Sequence, residues 1–196
     1  GDALVGATDW CTHPSDLDVV RVRGTKNPDV RAVIDLSPDL VVANQEENRE
    51  LDVRRLRAAG LAVWVTRIQT VDEAVASMRR LFSEALGWGV PDWLDAVEAA
   101  WAPPPRPTTG DSALRAAVAV WRDPWMVVGR DTFTGDLVSR LGWQHAYAHA
   151  DGRYPQVPLA DLDRDDLEVV LLPDEPYPFG PSDGPEAFIR VPTALV

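Results

Sequence analysis

The chain has 196 residues, of which 45% are hydrophobic, enough to bury a core in one ordinary domain or two small lobes. Its 19 basic and 31 acidic residues give a net charge of -12, which argues against nucleic acid as a partner. A single cysteine, Cys11, excludes an internal disulfide, and no Cys or His cluster has zinc spacing, so we expect no bound metal. No apolar run reaches the roughly 18 residues that a membrane-spanning helix needs.

The first half alternates short apolar strands with helices. We predict strands over 3–7, 40–43 and 61–65, and helices over 28–37, 51–59 and 70–86. Asn27 is the expected N-cap of the first helix, with Pro28 as its first residue. Thr70 and Glu73 form a capping box at the start of the third. Strands alternating with helices predict a parallel sheet covered by helices.

The second half follows a break in the pattern. A helix is predicted over 92–101, and the proline-rich tract 103–110 then reads as an extended linker between two lobes. Beyond it we predict strands over 116–121, 125–128, 169–172 and 188–191, a helix over 133–141 and a helical turn over 159–162. The expected fold class is therefore α/β, with two small lobes that contain mainly parallel sheets.

A weak internal repeat relates the two halves. Sliding the chain by 129 positions places 40–43 over 169–172 and Glu46 over Glu175. Duplication and generic parallel-sheet patterning both explain this match. If the repeat is real, the acidic loops 44–50 and 173–177 follow equivalent strands, at the sheet edge where ligands or partners bind.

Five segments of the sequence resemble one family of proteins. They are LVGATDWCTHP (4–14), RGTKNP (23–28), SPDLVVA (37–43), VWRDPWM (120–126) and DEPYPF (174–179). In this order they resemble the substrate-binding proteins of ABC importers for cobalamin, ferric siderophores and haem.

The resemblance implies two α/β lobes joined by a bridging helix, with the ligand held in a shallow cleft between the lobes. The bridging helix corresponds to Pro91 to Trp101. The N-terminal lobe is then 1–86, the bridging helix with the linker 87–110, and the C-terminal lobe 111–196. Compared with the family, we expect a strand and a helix to be missing at each end of the chain.

The candidate ligand-binding residues are aromatic and basic side chains in loops that follow strands. Trp10 and Trp125 are the candidate walls of the ligand site, although loop tryptophans also serve in plain packing. Arg122 and Arg130 flank the Trp125 segment and suit ligand carboxylates, unless Arg122 pairs with Asp123 or another nearby acid. The expected ligand-binding residues are Trp10, Asn44, Arg122, Trp125, Arg130 and Tyr177.

Carboxylates in the two acidic loops are candidates for docking. In the family, one carboxylate from each lobe pairs with arginines of the membrane permease, and such pairing improves register and on-rate more than affinity. The matching positions are Glu46 or Glu50 in the first loop and Glu175 in the second. A solvated acidic loop without a partner is the competing interpretation.

The sequence thus favours a non-enzymatic substrate-binding component of an ABC importer that captures a corrinoid, or a ferric siderophore or haem, and delivers it to a permease. The net charge of -12 favours the near-neutral corrinoid over an anionic complex. The resemblance implies a monomer outside the cytoplasm, periplasmic or membrane-associated, without a cofactor. No nucleophile elbow, phosphate loop or dinucleotide fingerprint appears. The alternative is a metal-handling protein or an enzyme on the same scaffold, using His13, Cys11 and nearby acids.

Overall fold

The computed structural model describes residues 3–101 and 113–196, so the expected linker 103–110 lies outside the described residues. The chain forms two compact units. The first unit comprises Gly1–Arg67 and Ala76–Asp92, and the second comprises Ile68–Val75 and Trp93–Val196. The lobe boundaries inferred from the sequence stay a prediction.

The first unit contains two short parallel strand pairs with helices beside them. Its elements are β1 (Gly6–Ala7), β2 (Val20–Arg21), α1 (Val30–Asp35), β3 (Val41–Asn44), α2 (Glu50–Ala58), β4 (Val63–Thr66) and a π-helical turn at Leu81–Ala85. Of the helix α3 (Val71–Arg80), only the part from Ala76 onward belongs to this unit. Strand β1 pairs with β2, and β3 pairs with β4. A small core of Val22, Val33 and Leu56 lies among α1, α2 and the strands.

Three sequence predictions in this region need correction. The first helix begins at Val30 because Asp29, and not Asn27, caps it: its Oδ1 atom accepts the backbone N–H of Ala32 at 3.0 Å. The strand predicted over 3–7 is reduced to Gly6–Ala7. The helix predicted to end at residue 86 is α-helical only to Arg80.

The capping box at α3 is present in a modified form. Thr70 Oγ1 accepts the backbone N–H of Glu73 at 3.1 Å, as expected. The Glu73 carboxylate accepts the N–H of Gln69 at 2.6 Å, whereas the sequence pattern places this bond on Thr70. The first bond satisfies an N–H group that the first turn of a helix leaves free, and the second ties the residue before the cap to that turn.

The second unit is built on one five-stranded sheet. Its elements are β5 (Arg115–Trp121), β6 (Met126–Val127), α5 (Phe133–Arg140), β7 (Gln144–His145), α6 (Leu159–Leu162), β8 (Val169–Leu172), a 3-10 turn at Pro185–Ala187 and β9 (Thr193–Leu195); α4 (Asp92–Trp101) precedes them. Strands β7, β8 and β9 run parallel to β5, and β6 is antiparallel to it. Strands β5 and β8 therefore end at the same edge.

The α/β class with mainly parallel sheets is confirmed, because five of the six strand pairs among residues 3–101 and 113–196 are parallel. The strand predicted over 188–191 is wrong. The backbone N–H groups of Ile189, Arg190 and Val191 all bond to the Asp163 carboxylate, at 3.1, 2.7 and 3.0 Å, so they make no ladder. The last strand, β9, begins beyond Pro192, which has no N–H to donate.

Within the two described stretches, no helix combines the length and the apolar character that crossing a membrane requires.

Candidate functional site

The loop between β1 and β2, residues 8–19, displays Trp10. Two turns shape its first part, with the N–H of Cys11 bonded to Thr8 O at 3.1 Å and the N–H of Thr12 to Trp10 O at 3.0 Å. The N–H of Asp9 donates to Arg23 O at 3.0 Å, which ties the loop to the segment after β2. Trp10 is 78% exposed. A large ring on a hydrogen-bonded loop is available to a ligand.

Asn44 organises the loop that follows β3. Its Nδ2 atom donates to Thr66 Oγ1 at 3.1 Å, at the end of the neighbouring strand β4. Its Oδ1 atom accepts the N–H groups of Glu46 at 2.8 Å and Glu47 at 3.3 Å, and its own N–H donates to Asn48 Oδ1 at 2.9 Å. These bonds favour a loop-forming role for Asn44 over direct contact with a ligand.

The glutamates of this loop differ in what they present to solvent. The Glu46 side chain is half-buried, and its carbonyl oxygen accepts a hydrogen bond from Lys26 Nζ. Glu47 accepts a bond from Thr25 Oγ1 at 3.2 Å and lies 3.8 Å from Lys26 Nζ. Glu50 opens α2 with a side chain that is 84% exposed, 3.8 Å from Arg54 Nε. Glu50 is therefore the more accessible of the two predicted docking positions in this loop.

In the second unit, Arg122 directly follows β5 and is neutralised by acids. Its Nη1 atom donates to Asp183 Oδ1 and to Glu186 Oε1, the latter at 2.6 Å, and its Nε atom lies 3.5 Å from Asp123 Oδ2. The bond to Glu186 raises the pKa of Arg122, and in return Arg122 holds the pKa of Glu186 below its usual range. Arg122 is thus paired with acids, as the alternative interpretation of the sequence has it, and two of these acids, Asp183 and Glu186, are distant in sequence.

Trp125 lies in the core of the second unit. It is 7% exposed, its ring stacks on Phe179 at 5.8 Å between centroids, and Phe188 meets it edge-on at 5.2 Å. The Arg122 guanidinium lies 5.5 Å from the Trp125 ring centroid. This burial favours the packing interpretation of Trp125 over a ligand wall.

Tyr177 lies in the loop after β8 and is held by two neighbours. Its hydroxyl donates to Asp183 Oδ2 at 2.8 Å, and this hydrogen bond raises the pKa of the phenol. Trp121, the last residue of β5, packs edge-on against it at 5.4 Å and is 41% exposed. Sequence reasoning missed Trp121, although its place at the end of a predicted strand was a usable signal.

The other two predicted residues of this unit are exposed. Arg130 donates to Asp151 Oδ1 at 3.2 Å and lies 3.8 Å from Asp131, so it too is paired with acids. Glu175 is exposed in the loop after β8. An open hollow of about 560 Å³ lies on this unit, lined by Pro124, Trp125, Gln156, Val157, Pro158 and Leu159.

The residues of the metal hypothesis are also exposed. His13 Nδ1 lies 3.1 Å from Thr12 Oγ1, and Cys11 Sγ lies 3.3 Å from Thr8 Oγ1. Among residues 3–101 and 113–196, no three His, Cys, Asp or Glu side chains are grouped so that they could hold a metal ion.

Comparison with known proteins defines the class of fold. No protein-family model matches the chain. The crystal structure of a periplasmic haem-binding protein from Pseudomonas aeruginosa matches 96% of this chain and 69% of its own, with a TM-score of 0.73 and 19% identity. That of the periplasmic vitamin B12-binding protein of Vibrio cholerae matches 89% of this chain and 69% of its own, with a TM-score of 0.69 and 18% identity.

The chain therefore has the fold of the periplasmic binding proteins, and the family resemblance seen in the sequence is confirmed for the fold. A curated vitamin B12-binding protein of Vibrio cholerae is similar in sequence, with 26% identity over 82 residues. That alignment covers 41% of this chain and 30% of the relative, less than a third of its length. These relatives are binding proteins.

Proposed function

We propose that this chain binds a small ligand for an ABC importer and that the ligand is a corrinoid. The observation that carries the proposal is the fold, which the chain shares over 96% of its length with a haem-binding protein and over 89% with a vitamin B12-binding protein. The sequence relative adds weight to the corrinoid, because it is a vitamin B12-binding protein.

Electrostatics also favours a near-neutral macrocycle. The chain carries a net charge of -12, so an anionic ferric complex or the propionates of haem would need a concentrated basic site. The two arginines predicted for that role, Arg122 and Arg130, are already paired with carboxylates. A corrinoid needs no such site and can bind through apolar contact with aromatic rings.

Trp10 is the aromatic side chain best placed for this contact. An indole contributes roughly 150–250 Å² of surface, and at about 25 cal/mol per Å² this gives a gross gain of about 4–6 kcal/mol. Micromolar binding needs about -8 kcal/mol net, so one ring is insufficient. The remainder has to come from other apolar contacts. The second unit also presents aromatic surface of its own, where Trp121 and Tyr177 pack edge-on at the carboxyl-end edge of its sheet.

Delivery to a permease is the second part of the proposal. Glu50 and Glu175 are exposed carboxylates in loops that follow parallel strands, and Glu46 is a half-buried alternative to Glu50. Paired with permease arginines, they would set the register of docking more than its strength. The protein then acts as a monomer outside the cytoplasm.

A ligand panel tests the proposal. Quenching of tryptophan fluorescence is measured with cobalamin, cobinamide, haem and a ferric siderophore, each added to the wild-type chain and to Trp10→Ala. We expect saturable quenching by the corrinoids, weakened in the variant. If no macrocycle quenches the fluorescence, and the chain instead takes up metal stoichiometrically in a way that His13→Ala abolishes, the metal-handling alternative is favoured.

A further inference from the structure

We infer that Arg21 is a positioning residue that holds the loop 8–19 in the shape that displays Trp10; its effect on ligand binding rests on the proposed function. The guanidinium of Arg21, in β2, bonds to three carbonyl oxygens of this loop. Its Nη1 atom donates to Thr8 O at 3.0 Å and to Cys11 O at 2.8 Å, and its Nη2 atom donates to Leu17 O at 3.1 Å.

These three bonds connect points spread along the loop. Thr8 and Cys11 lie on either side of Trp10, and Leu17 lies near the other end of the loop. The Arg21 side chain therefore holds the two ends of the loop together. Hydrogen bonds from a charged donor are stronger than neutral ones. Because the planar guanidinium presents its N–H groups in a fixed fork, a lysine ammonium cannot reproduce all three bonds.

Gly24 completes the support by leaving room for the ring of Trp10. A Cβ atom at Gly24 would lie 3.1 Å from Trp10 Nε1 and 2.8 Å from Asn27 Oδ1. The indole edge therefore lies close to the Gly24 backbone, while most of the ring stays in solvent. Any side chain at position 24 would displace this edge or the Asn27 amide.

A ring held in this way is ordered before the ligand arrives. Binding then does not include the entropic cost of ordering the loop, so the ligand binds more tightly. The ligand class that fits a displayed indole face is a flat, weakly charged macrocycle. Loss of Arg21 should accordingly weaken binding without removing any atom that touches the ligand.

The single cysteine gives a measure of loop order that needs no ligand. A nitroxide on Cys11 reports motion of the loop in an electron paramagnetic resonance spectrum. We expect Arg21→Met to shorten the rotational correlation time of the nitroxide at least twofold, and Arg21→Lys to restore it only in part. Arg31→Met is the matched control, since the Arg31 side chain is 90% exposed on α1 and should leave the spectrum unchanged.

A double-mutant cycle on unlabelled protein then links the loop to binding. Arg21→Met should weaken cobalamin binding at least fivefold in the wild-type background and less than twofold in the Trp10→Ala background, because Arg21 acts through Trp10. Equal losses in both backgrounds would show a general structural role and overturn the inference.

The two proposals fail in different ways. An unchanged nitroxide spectrum in Arg21→Met would overturn the role of Arg21 whatever the ligand result. Absence of cobalamin binding by the wild-type chain would overturn the proposed ligand, while the spectrum still decides whether Arg21 orders the loop. If Arg21→Met does not fold, Arg21→Lys replaces it in both measurements, the nitroxide spectrum and the double-mutant cycle.

Discussion

The indole of Trp125 and the ring of Phe179 stack nearly parallel, with 5.8 Å between centroids and 8° between planes. The pair lies in the main core of the second unit, beside Leu172 and Val191. Trp125→Ala should lower the free energy of unfolding by about 3–5 kcal/mol, because it leaves a cavity in a packed core. Urea denaturation measures this change.

Trp10→Ala is the matched comparison for that experiment. Its ring is 78% exposed, so truncation should change the free energy of unfolding by less than about 0.5 kcal/mol. A larger loss in Trp10→Ala than in Trp125→Ala would contradict the assignment of one ring to the core and the other to the surface.

The same Trp10→Ala variant should bind cobalamin at least tenfold more weakly, which corresponds to about 1.4 kcal/mol. The reason is the loss of an ordered aromatic face from the loop after β1. Titration by tryptophan fluorescence measures the change, and Trp88→Ala serves as the control because Trp88 is also exposed, at 52%, but is not part of this loop. Equal affinity of Trp10→Ala and wild type would remove Trp10 from the site.

Local patterns predicted most of the elements. The apolar runs at β3, β4, β5 and β8 and the periodicity of α2 and α5 give these elements to within a few residues. Such runs are informative because a buried parallel strand must be apolar on both faces. The end of the chain was misread because an apolar run at 188–191 looks like a strand, and nothing local shows that Asp163 binds its N–H groups.

The site was harder to predict because its decisive contacts are distant in sequence. The acids that neutralise Arg122 lie 61 and 64 residues away, at Asp183 and Glu186. Trp10 and Trp125 look alike in sequence, since both follow strands in polar loops. Only the packing of Phe179 and Phe188 against Trp125 separates the buried ring from the exposed one.

His145 should make the stability of the second unit sensitive to pH. Burial lowers the pKa of His145, against the opposing effect of its hydrogen bond to Val128 O at 3.0 Å, and nearby His149 lowers it further. The unfolded chain, with a histidine pKa of about 6.5, therefore takes up the proton first as pH falls. The contribution of neutral His145 to the free energy of unfolding is fully present above about pH 6.5. It is lost as the pH falls towards the pKa of His145 in the folded protein, by at most about 1.4 kcal/mol per pH unit.

Urea denaturation between pH 7.5 and 5 measures this dependence. His145→Gln should flatten it, whereas His149→Gln, at an exposed position, should retain most of it. If the free energy of unfolding of His145→Gln falls with pH as steeply as that of the wild type, the pH dependence belongs to other groups.

The ion pair between Arg122 and Glu186 should make the stability of the protein depend on pH in a lower range. Because Arg122 holds the pKa of Glu186 below its usual range, this carboxylate contributes stability above about pH 4.3, and the contribution is lost as pH falls through the lower folded value. Arg122→Gln should therefore be less stable than wild type at pH 7, and the difference should shrink on acidification. Thermal melts from pH 7 to 3 measure it, with Arg31→Gln as an exposed control. A difference that grows at low pH would contradict the pairing.

Isothermal titration of the wild-type chain with cobalamin tests the central claim most directly. We expect one corrinoid to bind per chain with a dissociation constant in the micromolar range or tighter. Folded protein that gives no binding heat at several temperatures, and retains no cobalamin on equilibrium dialysis, would contradict it.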